Sequence, residues 1–190
     1  MRNKTIRILI VLLLALAVLG TGVFFGVRAV LEQLYPCKYS EYVEYYAGKY
    51  GMDPYLLYTF IRTESGFDPQ AHSEMDAIGL TQMTQETFEW VKSKIAADEA
   101  LTFEDLREPE VSIRFGSYYI YRCLERYDWD VSTAAAAYHS GWTTVDNLLE
   151  KGEYTQDGRT LTSFPYDNMS HYVHKIGKAY EWYLRLYGSE

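Results

Sequence analysis

Twenty consecutive uncharged residues, Ile8 to Val27, constrain this chain more than any other feature. Folded as helix at about 1.5 Å per residue, such a run spans the ~30 Å hydrocarbon core of a bilayer. Arg2, Lys4 and Arg7 precede it, and a basic flank holds its side of a span in the cytoplasm. The sequence therefore divides into a cytoplasmic tail (1–7), a single transmembrane anchor (8–27), a linker (28–38) and a domain (39–190) on the outer face of the membrane. A signal peptide is the competing reading. Its small-residue triplet, Ala15-Leu16-Ala17, lies inside the apolar run rather than after it.

Charge and composition narrow what the outer part does. The chain carries 18 basic and 26 acidic residues, and residues 1–28 hold four of the basic ones and none of the acidic. The remainder has 14 positive against 26 negative charges, −12 in all. A surface that acidic is repelled by a phosphate backbone, which excludes sequence-independent nucleic-acid binding. With 48% hydrophobic and 16% aromatic residues, the chain buries enough surface to offset its ordering entropy and is not disordered. Two cysteines are too few for a disulfide framework. Export makes a Cys37–Cys123 bridge chemically possible, and two reduced thiols are the alternative.

Beyond residue 35 the punctuation is helical. Ser40 opens a segment that stops at Gly51, and Asp53-Pro54 is a cap followed by proline at the first helical position of a helix ending at Gly66. Residues 66–79 read as loop. Thr84 caps a helix to about Ile95, another covers Glu110 to Tyr127, and Ser132 or Thr133 starts an alanine-rich one ending at Gly141. Thr144–Lys151 is a short helix, Asp157-Gly158 a turn of a small hairpin, and Ser170 caps a last helix to Tyr187. Strand signals are weak elsewhere, so the class is all-α or nearly so.

One acidic residue stands out by position. Leu57, Ile61 and Glu64 follow the helical repeat, placing Glu64 at the C-terminal end of an apolar stripe. Apolar surroundings and the negative end of the helix dipole both raise a carboxyl pKa, and a carboxyl still protonated near neutral pH suits a general acid. Spacing alone leaves a structural glutamate paired with Arg62 or loop amides as the other reading.

Residues 64–82 contain Glu64, Ser65, Phe67, Pro69, Ala71, Ser73, Ala77, Gly79, Leu80 and Gln82. In that register they resemble E-S-x-F-x-P-x-A-x-S-x-x-G-A-x-G-L-M-Q, the catalytic motif of lytic transglycosylases of the soluble-lytic-transglycosylase type. Ala137-Tyr138-His139-Ser140-Gly141 is similar to that family's A-Y-N-A-G, and Phe164-Pro165 with Tyr172-Val173 to its closing segment. The resemblance runs from about Tyr35 to Tyr187. It implies a single lysozyme-like domain of the all-α (α+β superfamily) kind, acting as a monomer on peptidoglycan strands without cofactor or metal.

What the resemblance implies for the site is specific. Glu64 would be the only acid/base, Ser73 would hydrogen-bond and orient it, and Gln82 would line the sugar cleft. Tyr138 and Tyr172 would bring hydroxyls near Glu64 and the substrate's N-acetyl groups, and His139 would contact substrate. The reaction would cleave the β-1,4 bond between N-acetylmuramic acid and N-acetylglucosamine and close a 1,6-anhydro ring. A hydrolytic muramidase like the goose-type lysozymes, and a non-catalytic peptidoglycan-binding scaffold, are the alternatives. Four positions depart from the pattern: Asp76 replaces glycine, Thr81 methionine, Gln85 proline and His139 asparagine. Asp76 is a solvated loop charge or a modulator of Glu64, and the latter would favour hydrolysis. His171 and His174 lack a third ligand at suitable spacing, and no metalloprotease, phosphate-loop or serine-hydrolase motif occurs.

Overall fold

The computed structural model describes residues 2–188 and, among them, is helical with no sheet. Eight α-helices follow in order: α1 (Arg2–Leu34), α2 (Ser40–Lys49), α3 (Pro54–Ser65), α4 (Gln85–Ile95), α5 (Pro109–Arg126), α6 (Val131–Ser140), α7 (Trp142–Lys151) and α8 (Asp167–Tyr187). A 3₁₀ turn covers Phe103–Arg107. The only β pairing among the described residues is three isolated bridges, His72–Ile78, Ile78–Met83 and Thr155–Leu161. The last closes the expected turn, where Asp157 accepts from the Arg159 and Thr160 amides.

Helix α1 is long and apolar enough over Leu12–Leu34 to cross a membrane. Its large side chains from Leu12 to Val27 are exposed, so it is not a core helix of the domain. The helix continues beyond Val27, so residues 28–34, read from composition as linker, are helical.

The centre of the domain is α6. Ala134, Ala135, Ala136 and Ala137 are all fully buried, and side chains ending at Cβ let α5, α7 and α8 pack close around this helix. Helix α3 packs against α2 and α8, antiparallel to α8: Asp53 at its start accepts from Tyr180, and Glu64 at its end accepts from Tyr172. A smaller cluster holds Ile78, Met83, Phe88, Leu106 and Phe115 and seats the loop after α3 against α4 and α5.

Several helix starts differ from the sequence reading. Tyr39, in the left-handed region at φ 58°, precedes α2 where Ser40 was expected to cap. Asp130, not Ser132 or Thr133, caps α6 by accepting from Thr133 N–H at 2.7 Å. Helix α7 begins at Trp142 and α8 at Asp167, and Ser170 lies inside the first turn of α8. Asp53 and Thr84 do cap α3 and α4 through their side chains. Cys37 and Cys123 are both free thiols, and the buried Cys123 accepts from Trp142 Nε1–H at 3.1 Å.

One packing contact supports the site from behind. A Cβ on Gly116 of α5 would lie 2.3 Å from Thr81 Cγ2. Thr81 is buried, donates to Ser112 O at 3.2 Å, and accepts Tyr138 O–H on its own carbonyl at 2.6 Å. We expect Gly116→Ala to destabilise the fold by about 1–3 kcal/mol, as overpacking of a filled core does. Urea unfolding of the variant against wild type measures this.

Candidate functional site

Helix α3 delivers Glu64 to its place by local means. Asp53 accepts from Tyr55 N–H at 2.8 Å, Pro54 sets the first turn, and Gly66 ends the helix in the left-handed region. Leu57, Phe60 and Ile61 on the same helix are buried, so the last turn presents Glu64 at the edge of the core. The following loop folds back onto α3. Ser65 Oγ donates to Leu80 O at 2.8 Å and accepts from Phe67 N–H at 3.2 Å. Gly79, at φ 79°, passes so close to the 3₁₀ turn that a Cβ would meet Leu106 O at 2.2 Å. Only glycine fits there.

These elements enclose a cleft of about 350 Å³ lined by Glu64, Ser73, Gln82, Tyr119, Tyr138 and His139 among others. Glu64 is the only carboxylic acid in that lining. Its residue retains some exposure to the cleft, but its carboxyl is desolvated, and burial raises the pKa from the ordinary 4.5 to about 7. A hydrogen bond from Tyr172 and the charge of Lys175 pull the other way and do not overcome it. Tyr172 O–H donates to Glu64 Oε1. Oε2 has no hydrogen-bond partner among the described residues.

The expected site residues are brought to one place, with changed partners. Ser73 lines the cleft with Glu64, but its hydroxyl accepts from Met75 N–H (3.3 Å) and Ala77 N–H (3.1 Å). No Ser73–Glu64 hydrogen bond occurs among the described residues, and Tyr172 makes that contact instead. Gln82 donates through Nε2 to Ala71 O and Gly79 O at 3.1 and 3.0 Å, so its carbonyl end is the one free for a ligand. Tyr138 lines the cleft while its hydroxyl is held by Thr81 O. Burial and the nearby Glu64 charge push its pKa well up. Tyr172 is buried behind Glu64, and the ring of His139 stacks on it with centroids 4.5 Å apart and planes 12° apart. Burial lowers the His139 pKa below 6.5, which favours the neutral imidazole.

Asp76 stays outside the cleft lining. Its side chain is 90% exposed and 3.0 Å from His72 Nε2. Its φ of 56° accounts for the glycine expected there, since Asp is among the few residues that tolerate the left-handed region. Lys175 and Tyr119 join the site from outside the motif, whereas the motif residue Ser65 serves the loop. Lys175 sits one turn beyond Tyr172 on α8 and acts on Glu64 through its charge. Tyr119 forms a cleft wall, stacked on Trp142 at 5.7 Å. Ser65 braces the loop. Of the two from outside the motif, only Lys175 carried a readable signal, its i+3 spacing from Tyr172.

The chain matches the family model for the "Transglycosylase SLT domain" over residues 41–160. It is 25% identical over 169 residues to the membrane-bound lytic murein transglycosylase C of Actinobacillus pleuropneumoniae, covering 78% of this chain and 46% of that protein. With the protein of the same name from Yersinia pestis it shares 26% over 171 residues, covering 78% and 47%. The chain thus spans less than half the length of these relatives. Its fold matches the 70-kDa soluble lytic transglycosylase of Escherichia coli with TM-score 0.75 at 20% identity, over 84% of this chain and 26% of that one. A lytic transglycosylase of Pseudomonas aeruginosa matches with TM-score 0.70 at 23% identity, over 82% and 25%.

The raised Glu64 pKa has a signed consequence for stability. Between about pH 4.5 and 7 the folded state holds a proton on Glu64 that the unfolded state has lost. Stability from this group is therefore full below pH 4.5 and declines as pH rises to 7. We expect Glu64→Gln to be more stable than wild type at pH 8 by up to about 3 kcal/mol relative to their difference at pH 4. Tyr172→Phe should move the Glu64 pKa above 7, because the lost hydrogen bond favours the carboxylate. Carboxyl-resolved NMR titration and pH-dependent urea unfolding measure the two effects.

Proposed function

Because the chain belongs to the transglycosylase SLT domain family, we propose that it is a peptidoglycan lytic transglycosylase. In this reading residues 8–27 anchor it in a cell membrane and its cleft faces the cell wall. The observation that supports the reaction is the one desolvated acid: Glu64, with a pKa raised to about 7, is the only carboxyl lining this cleft, and Glu86 lies in the adjoining groove beyond Thr87 and Tyr119. Most glycoside hydrolases pair their acid with a second carboxylate. A transglycosylase does not, because the nucleophile belongs to the substrate.

The step balances on Glu64 alone. Protonated Glu64 gives its proton to the glycosidic oxygen leaving with N-acetylglucosamine, and the bond from that oxygen to C1 of the muramoyl residue breaks. The substrate's own N-acetyl group stabilises the positive charge that develops on C1. The Glu64 carboxylate then takes the proton from the C6 hydroxyl of the same muramoyl residue as its oxygen bonds to C1. The 1,6-anhydro ring closes and Glu64 is again protonated. Tyr172 holds one carboxylate oxygen through both halves, and His139 backs the Tyr172 ring. Ser73, Gln82 and Tyr138 form the wall that orients the sugars beside Glu64. The exposed, His72-paired position of Asp76 speaks against its positioning a hydrolytic water.

Mass spectrometry of muropeptides released from purified peptidoglycan tests the reading. Wild type should release products ending in 1,6-anhydromuramic acid, at a rate that falls above about pH 7 as Glu64 loses its proton. Glu64→Gln should lower release by about 100-fold or more, the usual worth of a general acid. Asp76→Gly should leave the product type unchanged. Reducing muramic ends from wild type would make the protein a muramidase, and binding without release would make it a scaffold.

A further inference from the structure

The segment between the apolar helix and the domain is bonded to the domain at both ends, at Arg28 and at Leu34–Pro36. Arg28 Nη2 donates to Leu186 O at the end of α8 (3.4 Å) and its Nε to Glu32 (2.8 Å). Arg62 Nε donates to Leu34 O at 2.6 Å, and its guanidinium lies 4.1 Å from the centre of the Tyr35 ring. Leu34 O is one of the carbonyls that a helix end leaves unpaired, and a cation there also meets the negative end of the helix dipole. Tyr187 O–H donates to Tyr35 O and Tyr183 O–H to Pro36 O, both at 2.9 Å. The Tyr35 ring packs on Trp182 and Tyr183.

The partners in the domain are the two helices that build the site. Arg62 lies on α3 two residues before Glu64, and Tyr183 and Tyr187 lie on α8, which also carries Tyr172. Tyr55 O–H, on α3, donates to Tyr187 O at 2.7 Å and closes the frame.

We propose that residues 28–37 are a rigid strut that fixes the cleft at one short height above the membrane, so that glycan strands lying at the membrane surface are the substrates within reach. The proposal rests on residues 8–27 being an anchor and on the transglycosylase reading above. Arg28 is the first charged residue after the apolar run and marks the bilayer edge. From Arg28 to Leu34 the helix rises about 9 Å, and the span of the Arg62 side chain brings Glu64 to on the order of 20 Å from that edge. An unstructured linker over residues 28–38 would instead let the domain wander with an r.m.s. reach of about 18 Å and a full extension near 36 Å. The strut trades that range for one position.

Two measurements on the full chain test it. In lipid nanodiscs, with Cys37→Ser to remove the accessible thiol, spin labels at Leu19→Cys and Lys151→Cys should give one narrow distance distribution. A 20-residue Gly-Ser insert between Ala29 and Val30 should broaden it by about 25 Å, and Arg62→Ala combined with Tyr187→Phe should broaden it partly. A broad distribution without the insert overturns the strut. In vesicles bearing glycan strands fixed to the surface through a lipid at one end, the native chain should leave stubs of one narrow length, and the insert variant stubs spread over a wider range. Equal stub distributions overturn the height selection. Failure of both proteins to cut tethered and free strands alike would strike the transglycosylase reading and the strand preference with it, whereas the distance distributions decide the strut independently of any activity.

Discussion

The desolvated carboxyl of Glu64 is the constraint around which the rest of the domain is arranged. A rise from 4.5 to about 7 corresponds to roughly 3 kcal/mol of preference for the neutral acid. The fold sustains that cost through hydrophobic packing on both sides of α3, where Leu57, Phe60 and Ile61 are buried with Tyr183 of α8. Two groups oppose burial, the Tyr172 hydroxyl and the Lys175 charge. Their opposition is useful. A carboxyl held neutral by burial alone would resist ionising when it gives up its proton, whereas a pinned oxygen and a nearby cation soften the second state. In the proposed reaction the site is thereby balanced between the two forms that an acid/base alternates between.

The loop after α3 is the price of placing that acid at a helix end. Its backbone turns through positive φ at Phe67, Asp76, Gly79 and Gln82, and such turns hold only where surroundings over-determine them. Here the surroundings are specific: Ser65 bonded to Leu80 O, Gln82 bonded to two loop carbonyls, and Gly79 against Leu106 O. Read physically, most motif positions in residues 64–82 serve this turn rather than the chemistry. Thr81 in place of methionine is matched by Gly116 and Ser112 on α5, which leave room for its methyl and satisfy its hydroxyl. The departure is absorbed behind the cleft wall and does not reach it.

How much of this was legible in the sequence follows from how local each signal is. Helix α3 could be read residue by residue, since Asp53, Pro54 and Gly66 act within one turn of themselves. The starts of α6 and α8 were misplaced because Asp130, Ser132 and Thr133, or Asp167 and Ser170, offer several equivalent cap registers, and tertiary packing chooses among them. The 3₁₀ turn at Phe103–Arg107 is too short to show a period, although the Thr102–Asp105 capping box fixes it. Residues of the cleft were legible as a set through the motif, and with them the approach of the Tyr172 hydroxyl to Glu64, but the partners of Ser73 were not. Ser73 turned to its own loop, and Tyr172, 108 positions away in the chain, took Glu64. Contacts at that separation leave no spacing to read.

The same limit explains the tyrosines. Of nineteen in 190 residues, four commit their hydroxyls to backbone carbonyls that no helix satisfies. Tyr55 donates to Tyr187 O, Tyr138 to Thr81 O, Tyr183 to Pro36 O and Tyr187 to Tyr35 O. Each ring packs on the core while its hydroxyl ties down a helix end or an irregular segment, where an unpaired buried carbonyl would otherwise cost about 1–3 kcal/mol. A phenylalanine would supply the packing and leave the carbonyl unpaired. In a domain with two free thiols and, among the described residues, no sheet to hold its loops, these tyrosines supply both the packing and the cross-link.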